Sequence, residues 1–176
     1  MEERLIESLE AMGITDLRHR TIDSLSGGQK QKVAIASVIA LKPEVLVLDE
    51  PTAELDPVSS LAVFDLLKDY AQANGTTVIV VEQKIALLSS HADMLLIMEG
   101  GRIRFAGTPS EVLAHSTELL AIGVNCSRST TLVNRLIGRG LYSGSTARGV
   151  DEAVAICKEV LALSLIHISE PTRLRR

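Results

Sequence analysis

Two short apolar runs, "VLVLDE" (Val45–Glu50) and "VIVVE" (Val78–Glu82), flank a segment long enough for one helix, and this spacing restricts the fold more than any other feature. Neither run alternates with polar residues, which is the pattern of a strand buried on both faces. Between them Leu61, Phe64, Leu67 and Ala71 recur at helical spacing from Pro57 to Ala73, and Asn74-Gly75 supplies a left-handed stop. A helix precedes the first run as well. Helix, strand, helix, strand in that order predicts an α/β layer architecture with a parallel sheet.

The flanking elements follow from caps and periodicity. Leu5, Leu9 and Met12 mark a helix over 4–12 that Gly13 closes. A turn-rich stretch then leads into a second helix from Gln29 to about Leu41, with Val33, Ala36, Ile39 and Ala40 on one face and Pro43 as its stop. Downstream, "KIALLSSHADM" reads as a short helix and "LLIMEGGRIRFAG" as a hairpin turning at Gly100-Gly101. "TPSE" is a capping box: Thr108 caps, Pro109 takes the first helical position and Glu111 reaches back. It opens a helix through about Ile122. The rest, to about Leu161, reads as mostly helical with a break at "GRGLYSGSTARG".

Composition removes several classes of function. The chain has 176 residues, 46% hydrophobic and 23% charged, ordinary values for a globular domain with a sizeable core. A net charge of −4, with two Tyr, two Phe and no Trp, offers nucleic acid neither a basic footprint nor a stacking platform. The apolar runs fall far short of the about 20 residues that span a bilayer. "MEERLIESLE" is acidic and amphipathic, unlike a secretory leader. Cys126 and Cys157 form neither a disulfide framework nor a metal spacing, and His19, His91, His115 and His167 lack ligand spacing. A cytosolic protein, free or attached to something at the membrane, is the expectation.

Four motifs carry chemistry. "LSGGQ", Leu25 to Gln29, stands at a helix entrance, where Ser26 offers a hydroxyl, Gly27 and Gly28 permit close backbone approach, and free N–H groups attract an anion. Two glycines alone would equally suit a plain turn. "VLVLDE" delivers Asp49 and Glu50 to the carboxyl edge of a parallel sheet, where α/β folds bind ligands. Asp49 is placed to hold Mg²⁺ through water, and Glu50 to polarise an attacking water. An acidic pair there is otherwise a solvated strand end or a helix cap. In "PTAELDP", Asp56 lies seven residues past Asp49 and also suits an N-cap of the Pro57 helix. Lastly "VIVVEQK" ends a second strand in Glu82-Gln83, whose side chains could reach a phosphate.

In this order and spacing the four motifs resemble the ATP-binding cassette (ABC) ATPases, from Glu2 to about Gly107. The resemblance makes "LSGGQ" (Leu25, Ser26, Gly27, Gly28, Gln29) the signature that closes over ATP. "VLVLDE" becomes the Walker B strand, with Asp49 for Mg²⁺ and Glu50 as catalytic base. "AELD", ending at Asp56, is the D-loop, and Gln83 is the switch residue. It implies the C-terminal part of an ABC-type cassette at 1–107, a parallel-sheet core with part of the helical signature subdomain, followed by a helical extension at 108–161. In such ATPases two cassettes pair head to tail, so a signature acts on ATP held by the other subunit. The glycine-rich phosphate loop is absent from these 176 residues. "GVNCSRST" has its length but puts Arg128 and Ser129 where Gly and Lys are required. The chain therefore reads as a fragment that is inactive alone.

"QKQKVAIASVIALKPEVLVLDEPTAELDP" and "ADMLLIMEGGRIRFAGTPSEVL" are most similar to ATPases of energy-coupling factor importers, which take up vitamins and metal ions. That resemblance implies a second cassette and integral membrane subunits as partners, no nucleic acid, and a place on the cytoplasmic face of the cell membrane. A soluble ABC ATPase acting on ribosomes or DNA is the alternative; the basic linkers or long coiled coil it would carry are not seen. Two positions depart from the family pattern: Gln83 stands where most members have His, and Glu54 where the D-loop has a small residue. Gln donates a hydrogen bond yet takes no proton. Finally "LSLIHISEPTR", Leu163 to Arg173, is what one frame of a transposon-based sequencing adapter encodes, so 162–176 is expected to be a non-native tail.

Overall fold

The computed structural model describes residues 2–168, with side chains to residue 162. It divides into two compact units, residues 1–83 and 84–176.

In the first unit, α1 (Glu2–Ala11) ends in a Schellman closure. Gly13, at φ +61, donates to the Glu10 carbonyl at 2.9 Å, and Ile14 donates to the Leu9 carbonyl at 2.9 Å. Leu9 and Ile14 thereby turn into the same core. Two single 3₁₀ turns, Thr15–Leu17 and Ile22–Ser24, lead to α2 (Gly27–Ile39). This helix starts two residues earlier than expected because Ser26 is its cap. Its buried face is Ile35, Ala36 and Ile39, while Val33 and Ala40 are only half-buried, so Ile35 was missing from the expected face.

Strands β1 (Val45–Asp49) and β2 (Thr77–Val81) pair in parallel, in register from Val45 with Thr77 to Asp49 with Val81. Helix α3 (Pro57–Asn74) connects them and ends at Gly75, φ +66, as expected. Burial on both faces is not observed. Leu46 is 1% exposed, whereas Val47 and Ile79, directly opposite each other, are 63% and 47% exposed. The core formed with α1, α2 and α3 takes up Leu46, Leu48 and Val78, which covers one face only. An unalternating apolar run states that a strand wants two covers; it cannot supply them. The α3 stripe is likewise rotated by about one residue, to Ser60, Val63, Phe64, Leu67 and Tyr70, leaving Leu61 exposed.

In the second unit, α4 (Ile85–His91) precedes the antiparallel hairpin β3 (Leu95–Glu99) and β4 (Arg102–Gly107). Gly100 and Gly101 both have positive φ, +56 and +75, the requirement of the expected tight turn. The Thr108 capping box forms as expected and opens α5 (Pro109–Ala114). The single helix expected through Ile122 is broken at His115, and α6 (Ser116–Ala121) follows. In a continuous helix the Leu113 carbonyl would accept from residue 117; here Asn134 Nδ2 donates to it at 2.8 Å. His115 also stacks on Phe105 with centroids 4.9 Å apart. Tertiary partners thus replace one turn of helix.

Helices α7 (Arg128–Gly138) and α8 (Val150–Ile168) close over Val133, Ala147, Ala153 and Ile156. Ser127 caps α7 by accepting the Thr130 N–H at 3.1 Å, so "CSRST" is a helix start. The 139–149 break between them carries Arg148, whose guanidinium donates to the carbonyls of Ser89 (3.0 Å) and Ala92 (3.4 Å) at the end of α4. Of the adapter-like string, residues 169–173 and the side chains of 163–168 lie outside the described residues.

Candidate nucleotide site

The carboxyl ends of β1 and β2 bring together residues from two loops of the first unit. Asp49 closes β1 with its side chain exposed, opposite Val81. Glu50 extends the ladder by one rung, its N–H donating to the Val81 carbonyl at 2.8 Å. Its backbone then turns left-handed, at φ +46, a conformation that costs an ordinary L-residue roughly 1–2 kcal/mol. Gln83, one position beyond Glu82 at the end of β2, donates from Nε2 to Glu50 Oε1 at 2.5 Å. This contact engages one of the two Glu50 oxygens.

Two further side chains complete this cluster. Glu82 Oε2 accepts from Thr52 Oγ1 at 2.5 Å, and Glu82 Oε1 accepts the Gln83 N–H at 3.0 Å. Thr52 is 0% exposed. Thr52 carries no mark in the sequence, and Glu82 stands out there only for its reach toward a phosphate. A threonine in a polar loop gives no sign of burial, so no sequence signal marked this pair.

The glycine motif makes a second cluster. Leu25 sends its side chain into the core, 7% exposed, and so anchors the motif rather than lining it. Ser26 and Gln29 form a reciprocal capping box: Ser26 Oγ accepts the Gln29 N–H at 3.3 Å and Gln29 Oε1 accepts the Ser26 N–H at 3.0 Å. The cap fixes where α2 begins, with Gly27 and Gly28 in its first turn. A Cβ on Gly28 would meet Leu55 Cδ2 at 3.0 Å, and one on Gly27 would lie 3.6 Å from Glu54 Oε2. The 51–56 loop therefore abuts the glycines. Beside them Ser26, Gly28, Gln29, Lys32, Leu55 and Ser59 line an open cleft of about 330 Å³.

Asp56 caps α3 as expected, accepting the N–H groups of Val58 (3.0 Å) and Ser59 (3.1 Å) and the Ser59 hydroxyl. The Ser59 hydroxyl, then its N–H, hold the Asp56 carboxyl below the usual carboxylate value. Among the described residues no group of three or more His, Cys, Asp or Glu side chains converges as a protein-only metal cage. A single exposed carboxylate such as Asp49 suits Mg²⁺, which keeps several waters and takes its other ligands from phosphate.

The family model described as ABC transporter matches residues 1–53. The energy-coupling factor transporter ATP-binding protein EcfA2 of Symbiobacterium thermophilum is 39% identical over 163 residues, covering 92% of this chain and 56% of the relative. The chain belongs to the ABC transporter ATP-binding family. A second relative, EcfA1 of Lacticaseibacillus paracasei, is 36% identical over 141 residues, covering 80% of this ABC chain and 50% of its own length. The chain thus spans about half the length of the curated relatives it matches. Among solved structures, cbiO1 of Clostridium perfringens, part of the ABC transporter complex cbiONQ, superposes with a TM-score of 0.62 at 31% identity, over 78% of this chain and 53% of that one. An ATP-binding cassette of another ABC transporter, at 23% identity, TM-score 0.64 and coverage of 70% and 50%, confirms the fold alone. The α/β fold with a parallel sheet is that of the ABC cassettes, and no described helix is long and apolar enough to cross a membrane.

Proposed function

We infer that this chain is part of an ATP-hydrolysing subunit that powers solute import through a membrane complex of the energy-coupling factor type. The observation that carries the reading is the Gln83–Glu50 contact at the carboxyl edge of the parallel pair. It sets a carboxylate base and an amide donor side by side where a phosphate ligand of an α/β fold binds. In this reading Glu50 orients and polarises the attacking water, while Gln83 fixes Glu50 through one N–H of its amide and offers the other to a γ-phosphate oxygen. Asp49 is the residue that holds Mg²⁺, which when bound would offset phosphate charge.

The signature serves the opposite nucleotide of a head-to-tail pair. Ser26, Gly27, Gly28 and Gln29 present a capped helix start that favours an anion, Leu25 anchors it in the core, and Asp56 holds the D-loop at the root of α3. A second cassette and integral membrane subunits are the partners, on the cytoplasmic face of the membrane. Both relatives above are named as energy-coupling factor transporter ATP-binding proteins, which favours import over a role on ribosomes or DNA.

The test is phosphate release from ATP with Mg²⁺, by this chain alone and after joining it to a segment bearing a Gly-x-x-x-x-Gly-Lys-Ser/Thr loop. The expected result is background turnover for the chain alone and turnover abolished by Glu50→Gln in the joined form. Turnover by the chain alone, or a joined form indifferent to Glu50→Gln, overturns the reading.

A further inference from the structure

We propose that Glu82 is a positioning residue of the hydrolytic centre, a carboxylate brace that sets Gln83, and through it Glu50, by tying the β2 loop to the buried Thr52. The inference rests on the ATPase reading given above and adds a residue to it. Two loops leave the carboxyl ends of β1 and β2, and loops without a cross-link drift relative to each other. Here Glu82 spans them beside the Gln83–Glu50 contact. Glu82 Oε2 accepts from Thr52 Oγ1 at 2.5 Å, and Oε1 accepts from the Gln83 N–H at 3.0 Å.

The brace is built rather than incidental. Thr52 is 0% exposed, so its hydroxyl would be costly to leave without an acceptor, and Glu82 is half-buried over it. A charged acceptor makes that bond stronger than a neutral one. Thr52 lies two residues past Glu50 in the same loop, and Gln83 is the next residue after Glu82. Both ends of the Gln83–Glu50 contact are therefore referred to one carboxylate.

The experiment uses the complete ATPase assembly, with steady-state kinetics and amide hydrogen exchange on Glu82→Gln, Thr52→Val, Thr52→Ser and the double variant Glu82→Gln/Thr52→Val. A misplaced catalytic pair costs about tenfold or more in kcat. The expected result is that loss in Glu82→Gln and in Thr52→Val, KM for ATP shifted less than about twofold, and a double variant no worse than the singles, as residues acting as one unit behave. Thr52→Ser restores most of the rate. Exchange quickens at 50–56 and 82–84 while α3 keeps its protection. Additive losses, a KM effect without a kcat effect, failure of Thr52→Ser, or loosening of α3 in step with the rate overturns the proposal. Glu50→Gln in the same assembly separates the two ideas: if it leaves turnover intact, the ATPase reading itself falls.

Discussion

Gln83 Nε2 donates to Glu50 Oε1 at 2.5 Å, although 33 residues separate them in the chain. The contact exists because β1 and β2 run in parallel and in register, so both strands end on the same side with Asp49 opposite Val81. In the complete assembly Glu50→Gln is expected to lower ATP turnover by about 100-fold or more, the range of general-base removal, with ATP still bound. Gln83→Ala is expected to lower kcat about tenfold, since it removes the donor that fixes the Glu50 carboxylate. Single-turnover hydrolysis checks both; equal rates for Gln83→Ala and the unaltered protein would refute the positional role.

Gly28 separates folding from binding. Ala at this position gains helix propensity, up to about 1 kcal/mol, against a contact with the movable end of Leu55 at 3.0 Å. Thermal stability of Gly28→Ala should stay near that of the unaltered chain. If the proposed signature role holds, ATP-driven pairing of cassettes should drop by about tenfold or more, because the added methyl group would crowd the backbone N–H groups proposed to meet an anion. Sedimentation with and without ATP reads this out, and unchanged pairing counts against the signature role.

Asp56 links acid stability to the cap of α3. Its carboxyl sits below the usual value of 3.8, first through the Ser59 hydroxyl and then the Ser59 N–H. A carboxyl lowered by folding binds its proton less readily in the native state. Its stabilising contribution is complete above the unfolded value and is lost as pH falls through the lower folded value. Asp56→Asn keeps an N-cap acceptor without the charge and should show a flatter fall of melting temperature below about pH 4. Asp56→Ala should melt a few degrees lower near neutral pH. Identical acid limbs for Asp56→Asn and the unaltered chain would exclude the linkage.

The open sheet face predicts the behaviour of the chain in isolation. Val45, Val47, Ile79 and Val81 are 52%, 63%, 47% and 55% exposed on one side of a two-stranded parallel sheet. Parallel sheets are ordinarily covered on both faces, and exposed apolar strands self-associate. The isolated chain is expected to aggregate at micromolar concentration. Val47→Lys with Ile79→Glu, an opposite-charge pair in register, should shift it toward monomer in light scattering. Aggregation unaffected by the pair would place its cause elsewhere.

The sequence alone specified elements governed by local chemistry. Capping residues fixed the starts of α3 and α5, Gly75 and the Gly100-Gly101 pair fixed a helix end and a hairpin turn, and unalternating apolar runs fixed the strands. The motif order identified Asp49, Glu50, Asp56 and Gln83 as candidates because their spacing is itself written in the chain. What surrounds an element is not local. The sheet's bare face, the break at His115 taken up by Asn134, and the one-residue rotation of α3 depend on partners contributed by distant segments. The brace from Glu82 to Thr52 belongs to that second class: the residues lie 30 apart, and only parallel pairing of β1 with β2 brings a buried hydroxyl to a carboxylate.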